Sequence, residues 1–356
     1  MAAGTDICIT GMGAVTSVGA SAEQTAASVR AGVSRFEEHP LYYMTIDPPY
    51  LDEPQQLRCA PVAMFDLMLT APDRLLGLAV HPLQEVFLQA GVTREDLATC
   101  GVFLAAPPAV DGVPEWGMDD AMIPEFLRRA ALPPMHPALL DRRGSTAFFH
   151  LLAKAAAALQ EGTCRMALVG GVDSYLYEGA VEHYDQTRRF LSSRNKDGFI
   201  PGEAGGFVLL ETRNAAERRK APILACLSPP ALAREEQPFT GDANSTGTGL
   251  TQVVRSVVNG QKPDWILCDL NGERYRGQEW GTAYVRLAKE LDQVSVVQHP
   301  ADSFGDIRAA APVLQVILAA ASLHGEYAPG TSCLVFAGSD DGDRGALQVF
   351  ADQGRG

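Results

Sequence analysis

The chain has 356 residues, with 29 Lys and Arg against 43 Asp and Glu and a formal net charge of -14. That length supports one large domain or two fused halves with a sizeable core. An acidic chain without a basic stripe excludes nucleic acid as the partner.

The seven cysteines are scattered, with no Cys-x-x-Cys pair and no His–Cys cluster. Buried free thiols are expected, with no metal site and no cofactor. No charged-then-apolar leader and no bilayer-length apolar run is present, so the expectation is a soluble cytoplasmic protein without a membrane partner.

In chain order, Asp6–Thr10 reads as a buried strand running into Gly11–Gly19 (GMGAVTSVG). Gly11 and Gly13 begin a dinucleotide fingerprint, but Thr16 stands where the third glycine belongs, so a tight strand-to-helix turn is the better reading. Ser21 to Ala31 is a helix started by Ser21 and Glu23. Arg35 to Pro72 reads as loop with short strands. Asp73 to Ala90 reads as one amphipathic helix, from the spacing of Leu75, Leu76, Leu78, Ala79, Leu83, Val86 and Phe87. Cys100 to Ala105 is a strand. Pro107 to Pro137, with Met118, Met122 and Met135, reads as a cap segment with a short helix over 123–130.

The stretch Gly144 to Ser174 organises the chain. Ser145 lies in a small-residue turn. The apolar run Phe148 to Leu159 follows and predicts a helix buried on all sides, too short to span a bilayer. A strand over Met166–Val169 is closed by Gly170-Gly171. Ser145 therefore stands where unpaired N–H groups and the helix dipole favour negative charge. A second stretch, Ser303 to Leu323, repeats this pattern and leads to a strand over Cys333–Ala337. Between them come a helix-and-turn over 175–189, a strand over Phe207–Leu210, a charged connection over 213–220 and a strand over 221–227. After the loop 229–242 follow Asn244-Ser245-Thr246-Gly247 and a helix to about Val258, a strand over 264–269, a helix over 280–291 and a strand over 294–297. The chain ends with loop 339–345 and a strand over 346–350. Strands alternate with helices throughout, so the chain is α/β.

These residues carry a family likeness. ITGMGAVTSVG and DGFIPGEAGGFVLLE, with the spacing from Ser145 through His150 to Gly170-Gly171, resemble the beta-ketoacyl-acyl-carrier-protein synthases of thiolase fold and elongating type. The resemblance spans nearly the whole chain. It implies a five-layer αβαβα fold of two pseudo-duplicated halves, divided here as 1–220 and 221–356, and a dimer. The family's nucleophilic cysteine matches Ser145. Its first histidine, in HGT-x-T, matches Asn271, and the two threonines of that motif match Glu273 and Tyr275. The lysine and second histidine of K-S-x-x-G-H match Ala301 and Asp306. The glycine-rich C-terminal loop becomes Asp340 to Asp343, with Asp341 at the gating position. The chain thus resembles a member lacking the Cys-His-His triad.

Condensation needs a thioester nucleophile and donors for the enolate oxygen. Asn271 can donate, whereas an ionised Asp306 only accepts and repels an enolate. A serine hydroxyl needs a neighbouring base. Ser145, Asn271 and Asp306 are the catalytic candidates by position, and Glu273, Tyr275 and Asp341 the substrate-binding candidates. The resemblance leaves three readings. One is a silent, chain-length-factor-like partner in a fatty-acid- or polyketide-like pathway. Another is an acyltransferase or thioester hydrolase acylated on Ser145. The last is a binding protein for a polar ligand. The partner is a second copy or an active ketosynthase, with acyl carrier protein or acyl-CoA as further candidates. Ser145 and Asp306 also suit plain helix caps. A closed, salt-bridged pocket fits the silent reading, and an open one fits a ligand.

Overall fold

A computed structural model describes residues 7–44, 55–109, 119, 121–241 and 243–352. Asp6, Met118 and part of the 35–72 and 107–137 segments lie outside the described residues.

The strands are β1 (Ile7–Thr16), β2 (Glu37–Tyr43), β3 (Gln56–Cys59), β4 (Cys100–Ala105), β5 (Ala138–Asp141), β6 (Met166–Ser174), β7 (Glu203–Thr212), β8 (Ala225–Leu227), β9 (Ala231–Arg234), β10 (Trp265–Cys268), β11 (Val296–Gln298), β12 (Ser332–Gly338) and β13 (Asp343–Phe350). The helices are α1 (Ala22–Arg30), α2 (Ala71–Val80), α3 (Leu83–Ala90), α4 (Arg94–Leu97), α5 (Met122–Arg129), α6 (Ala147–Glu161), α7 (Glu178–Gln186), α8 (Arg213–Arg219), α9 (Thr248–Val258), α10 (Arg274–Arg286), α11 (Ala301–Phe304) and α12 (Ala311–His324). Short 3-10 turns, Gly144–Thr146 and Arg308–Ala310, lead into α6 and α12.

The main sheet runs β11-β10-β12-β13-β8-β1-β7-β6-β4-β5, with β9 paired to β13. Divided between β8 and β1, the order repeats itself. In each part the first strand pairs antiparallel with the last, and the last pairs antiparallel with the fourth. The fourth is parallel to the second, and the second to the third. Helix α6 enters β6 as α12 enters β12, at equivalent places in the repeat. Both helices belong to the core between the two parts of the sheet. Helices α2, α3 and α5 cover the outer face of the first part, and α9 and α10 that of the second. This is the five-layer α/β arrangement expected.

Several sequence expectations need correction. The segment after Thr10 is not a turn, because β1 continues through Gly11 and Gly13 to Thr16. A Cβ at either glycine would run into the backbone oxygen of Val86 or Pro82, so the glycines let α3 lie directly on the strand. The amphipathic helix expected over 73–90 is two helices, α2 and α3, separated at Pro82. Strand β6 does not stop at Gly170-Gly171 but runs to Ser174. Gly170 makes room for the Phe207 ring, and Gly171 for the backbone of Ala309.

Helix α6 is not buried all round, since Ala153, Lys154, Ala157 and Gln160 face solvent. The enclosed helix is α12, buried from Pro312 to Ala321. The charged stretch after Thr212 is a helix, α8, capped by the Thr212 side chain. Helix α10 begins at Arg274, six residues before the expected start at Trp280.

Candidate functional site

The site lies where the starts of α6 and α12 meet the ends of β10 and β12. Gly144, at φ +71, turns the chain after β5 in a conformation that favours glycine. Ser145 follows inside the 3-10 turn and is 2 % exposed. Thr146, rather than Ser145, is the residue at the start of α6, so the serine is not a cap there. Ser339, just past β12, pins the turn. Its Oγ donates to the Arg143 carbonyl and accepts from the Thr146 N–H at 3.0 Å.

Ser145, Asn271 and Asp306 line one cavity, together with Asp269, Arg276 and Gln315. The structure therefore brings the three catalytic candidates together. The cavity holds about 20 Å³, roughly the space of one water molecule. Ligand pockets run to roughly 300–1,000 Å³. No hydrogen bond links Ser145 to Asp306 or to a histidine among the described residues. His150 instead sits against Arg143, its Nδ1 2.9 Å from Nη1. Burial, with Arg143 beside it, holds His150 below the ordinary imidazole range.

The other candidates are consumed by internal contacts. The Asn271 amide nitrogen donates to Glu273 Oε2 at 3.0 Å and to Asp306 Oδ2, while its Oδ1 accepts from the Glu273 N–H at 3.0 Å. Its donor capacity is spent on two carboxylates. Asp306 Oδ1 also accepts from the Arg308 N–H at 2.8 Å, which is the cap-like role foreseen for it. Glu273 takes both ends of the Arg189 guanidinium, at 2.8 Å each. Arg189 reaches on to Asp340 Oδ2 at 2.6 Å and stacks 4.1 Å over the Phe239 ring. Arg276 joins Asp269 at 2.7 Å and Asp340 at 3.2 Å. Arg308 pairs with Asp173 through Nε at 3.0 Å and Nη2 at 2.8 Å.

Carboxyl groups outnumber guanidinium groups in this cluster. Burial pushes the Asp173 and Asp269 carboxyls up, against the pull of Arg308 and Arg276 respectively. Asp340 goes the other way. Burial alone would raise it, but Arg189 and Arg276 outweigh that and hold it below the ordinary carboxylate range.

None of the three substrate-binding candidates, Glu273, Tyr275 and Asp341, lines the cavity. The Tyr275 hydroxyl donates to the Gln237 carbonyl and accepts from Arg344 at 3.1 Å, tying down the 235–240 loop. Asp341 is exposed in the turn before β13, where its Oδ1 accepts from the Asp343 N–H at 3.2 Å. The short turn from β12 to β13 carries it to the surface. Glu273 is buried as expected of a site residue, yet it faces Arg189. Sequence reasoning missed Arg189, Arg276, Asp173 and Ser339. Their partners lie as far as 196 positions away, and no local pattern marks them.

Residues 143–216 match the model of the beta-ketoacyl synthase N-terminal domain. Over that stretch the chain is similar to the beta-ketoacyl synthases. It is 28% identical over 144 residues to 3-oxoacyl-[acyl-carrier-protein] synthase 2 of Mycobacterium leprae, a match covering 37% of this chain and 33% of that one. The chain thus spans about a third of that curated relative. Among solved structures, the ishigamide ketosynthase/chain length factor superposes with a TM-score of 0.78 at 17% identity, covering 98% of this chain and 100% of that one. The ketosynthase–acyl-carrier-protein complex AntDE:AntF, a type II polyketide assembly bound to a hexaketide, also gives 0.78, at 13% identity over 98% and 99%. At those identities the likeness establishes the ketosynthase fold. Among the described residues no helix is long and apolar enough to cross a membrane.

Proposed function

We propose that this ketosynthase-like protein is catalytically silent and acts as a structural partner in a fatty-acid- or polyketide-like pathway. One observation carries the reading. The cavity at Ser145 has space for about one water, and the polar groups around it are spent on one another. Asn271 is held by Glu273 and Asp306, and Glu273 is held by Arg189. Opening such a cluster to a thioester would expose buried charges that now neutralise each other. A serine acyl-enzyme lacks support, because Ser145 has no hydrogen-bonded base among the described residues. A polar-ligand site lacks support for the same reason of space.

As a partner we propose an active ketosynthase or a second copy of this chain. The likeness to a ketosynthase/chain length factor pair is what suggests it. An acyl carrier protein would then meet the assembly rather than this cavity. We also propose that the two halves divide between α8 and β8, at 220/221. Native mass spectrometry of the tagged chain purified from its host tests the partnership. A mixed dimer whose second chain is a ketosynthase with the nucleophilic cysteine, or a homodimer, supports it. A monomer that turns over malonyl or acyl thioesters by itself overturns it.

A further inference from the structure

Away from the candidate site, two thiols meet at the seam of the molecule. Cys8 on β1 and Cys226 on β8 stand directly opposite each other on antiparallel strands. Opposed residues on such strands have Cα atoms about 4.5–5.5 Å apart, inside the range a disulfide spans. The two Sγ atoms are 3.0 Å apart, so a bond needs a closure of about 1 Å. No other sulfur–sulfur contact occurs among the described residues.

The pair is also chemically unequal. Arg213 Nη2 donates to Cys226 Sγ at 2.9 Å, while its Nη1 holds Asp352 at 2.8 Å. Donation from Cys8 and the charge of Arg213, working against burial, hold the Cys226 thiol below its ordinary range. The contact with Cys226, together with burial, pushes Cys8 up. This is the division between an attacking thiolate and a resolving thiol. Both sulfurs are covered, but the cover over Cys226 includes the Arg213–Asp352 pair, whose side chains are 19% and 29% exposed.

We propose that Cys8 and Cys226 are a disulfide-forming pair that ties β1 to β8 when a small organic disulfide, RSSR, supplies the oxidation. The Cys226 thiolate attacks one sulfur of RSSR, forms a mixed disulfide and expels RS⁻. The Cys8 thiol then gives up its proton, attacks the Cys226 sulfur and expels the second RS⁻. Two protein thiols and RSSR become one protein disulfide and two RSH. The new bond crosses the antiparallel contact that joins the two repeats of the sheet, and it closes a loop between residues 218 positions apart. Closing so long a loop raises Tm by roughly 5 °C.

The test uses the full chain and 2-hydroxyethyl disulfide, a small neutral reagent. After treatment the protein is unfolded, alkylated and mapped without reduction. The expected result is a mass loss of about 2 Da, a linked peptide pair containing Cys8 and Cys226, a higher Tm, and reversal by dithiothreitol. In Cys8→Ser the reaction stops at the mixed disulfide, with a hydroxyethylthio group on the Cys226 sulfur. Two outcomes overturn the proposal. One is full alkylation of both thiols in the treated wild-type protein, and the other is a linkage through other cysteines. The wild-type map decides the matter even where the variant fails to fold.

Discussion

Arg189 is the residue on which the silent reading is most exposed to test. Its side chain is 12% exposed and that of Glu273 only 4%. Arg189→Met keeps an apolar stem but removes the guanidinium that lies over Phe239, and it takes from Glu273 and Asp340 their closest cationic partner. Breaking a buried ion pair from one side costs about 3–5 kcal/mol. Arg276 remains, with Nη2 3.2 Å from Asp340 and Nε 3.6 Å from Glu273, so the lower end applies. The expected loss is about 3 kcal/mol in urea unfolding at pH 7. Adding Glu273→Met removes the orphaned charge and recovers most of that loss, since a buried pair replaced by apolar groups is close to neutral. A loss under about 1 kcal/mol for Arg189→Met is the behaviour of a solvated surface pair. That result would refute the reasoning, because it means that water already reaches the cluster and the cavity is open.

Other predictions follow from the same geometry. Ser145→Ala shifts stability by less than about 1 kcal/mol in the same urea assay, because the hydroxyl has no partner to lose among the described residues. Gly13→Ala costs about 1–3 kcal/mol or more, since the new Cβ meets the Pro82 carbonyl and forces α3 off β1; thermal unfolding reads this directly. Asp340 gives a pH signature. Its folded pKa lies below the ordinary value, so its contribution is fully present above about pH 4 and is lost as pH falls through the lower folded value. The gap in urea midpoint between the wild type and Asp340→Asn should therefore hold steady from pH 7 to about 4 and shrink below that. A gap unchanged at pH 3 would contradict the assignment.

The architecture was readable because apolar runs report burial directly. The run from Pro312 to Ala321, apolar but for Gln315, announced the enclosed helix α12, and the alternation of strands with helices announced the class. The breaks were harder. Pro82 divides α2 from α3, although the apolar spacing continues across it. Gly11 and Gly13 looked like a turn because their reason, the close approach of α3, lies some seventy residues further on. The site was readable by position and not by partner. Ser145, Asn271 and Asp306 do meet at one cavity. Glu273, Tyr275 and Asp341 do not line it, because an ion pair with Arg189, a contact with the 235–240 loop and a local turn respectively hold them. Arg189 and Arg276 carried no signal at all, since a buried arginine is recognisable only once its carboxylate is known.

The central claim is that Ser145 is enclosed and unreactive. The most direct measurement is the intact mass of the protein after incubation with a panel of acyl-CoA and acyl-carrier-protein thioesters, with Ser145→Ala run beside it. The account predicts an unchanged mass for both proteins, with no thioester consumed. An acyl adduct on the wild type that is missing from Ser145→Ala would contradict it and make the protein a serine acyl-enzyme.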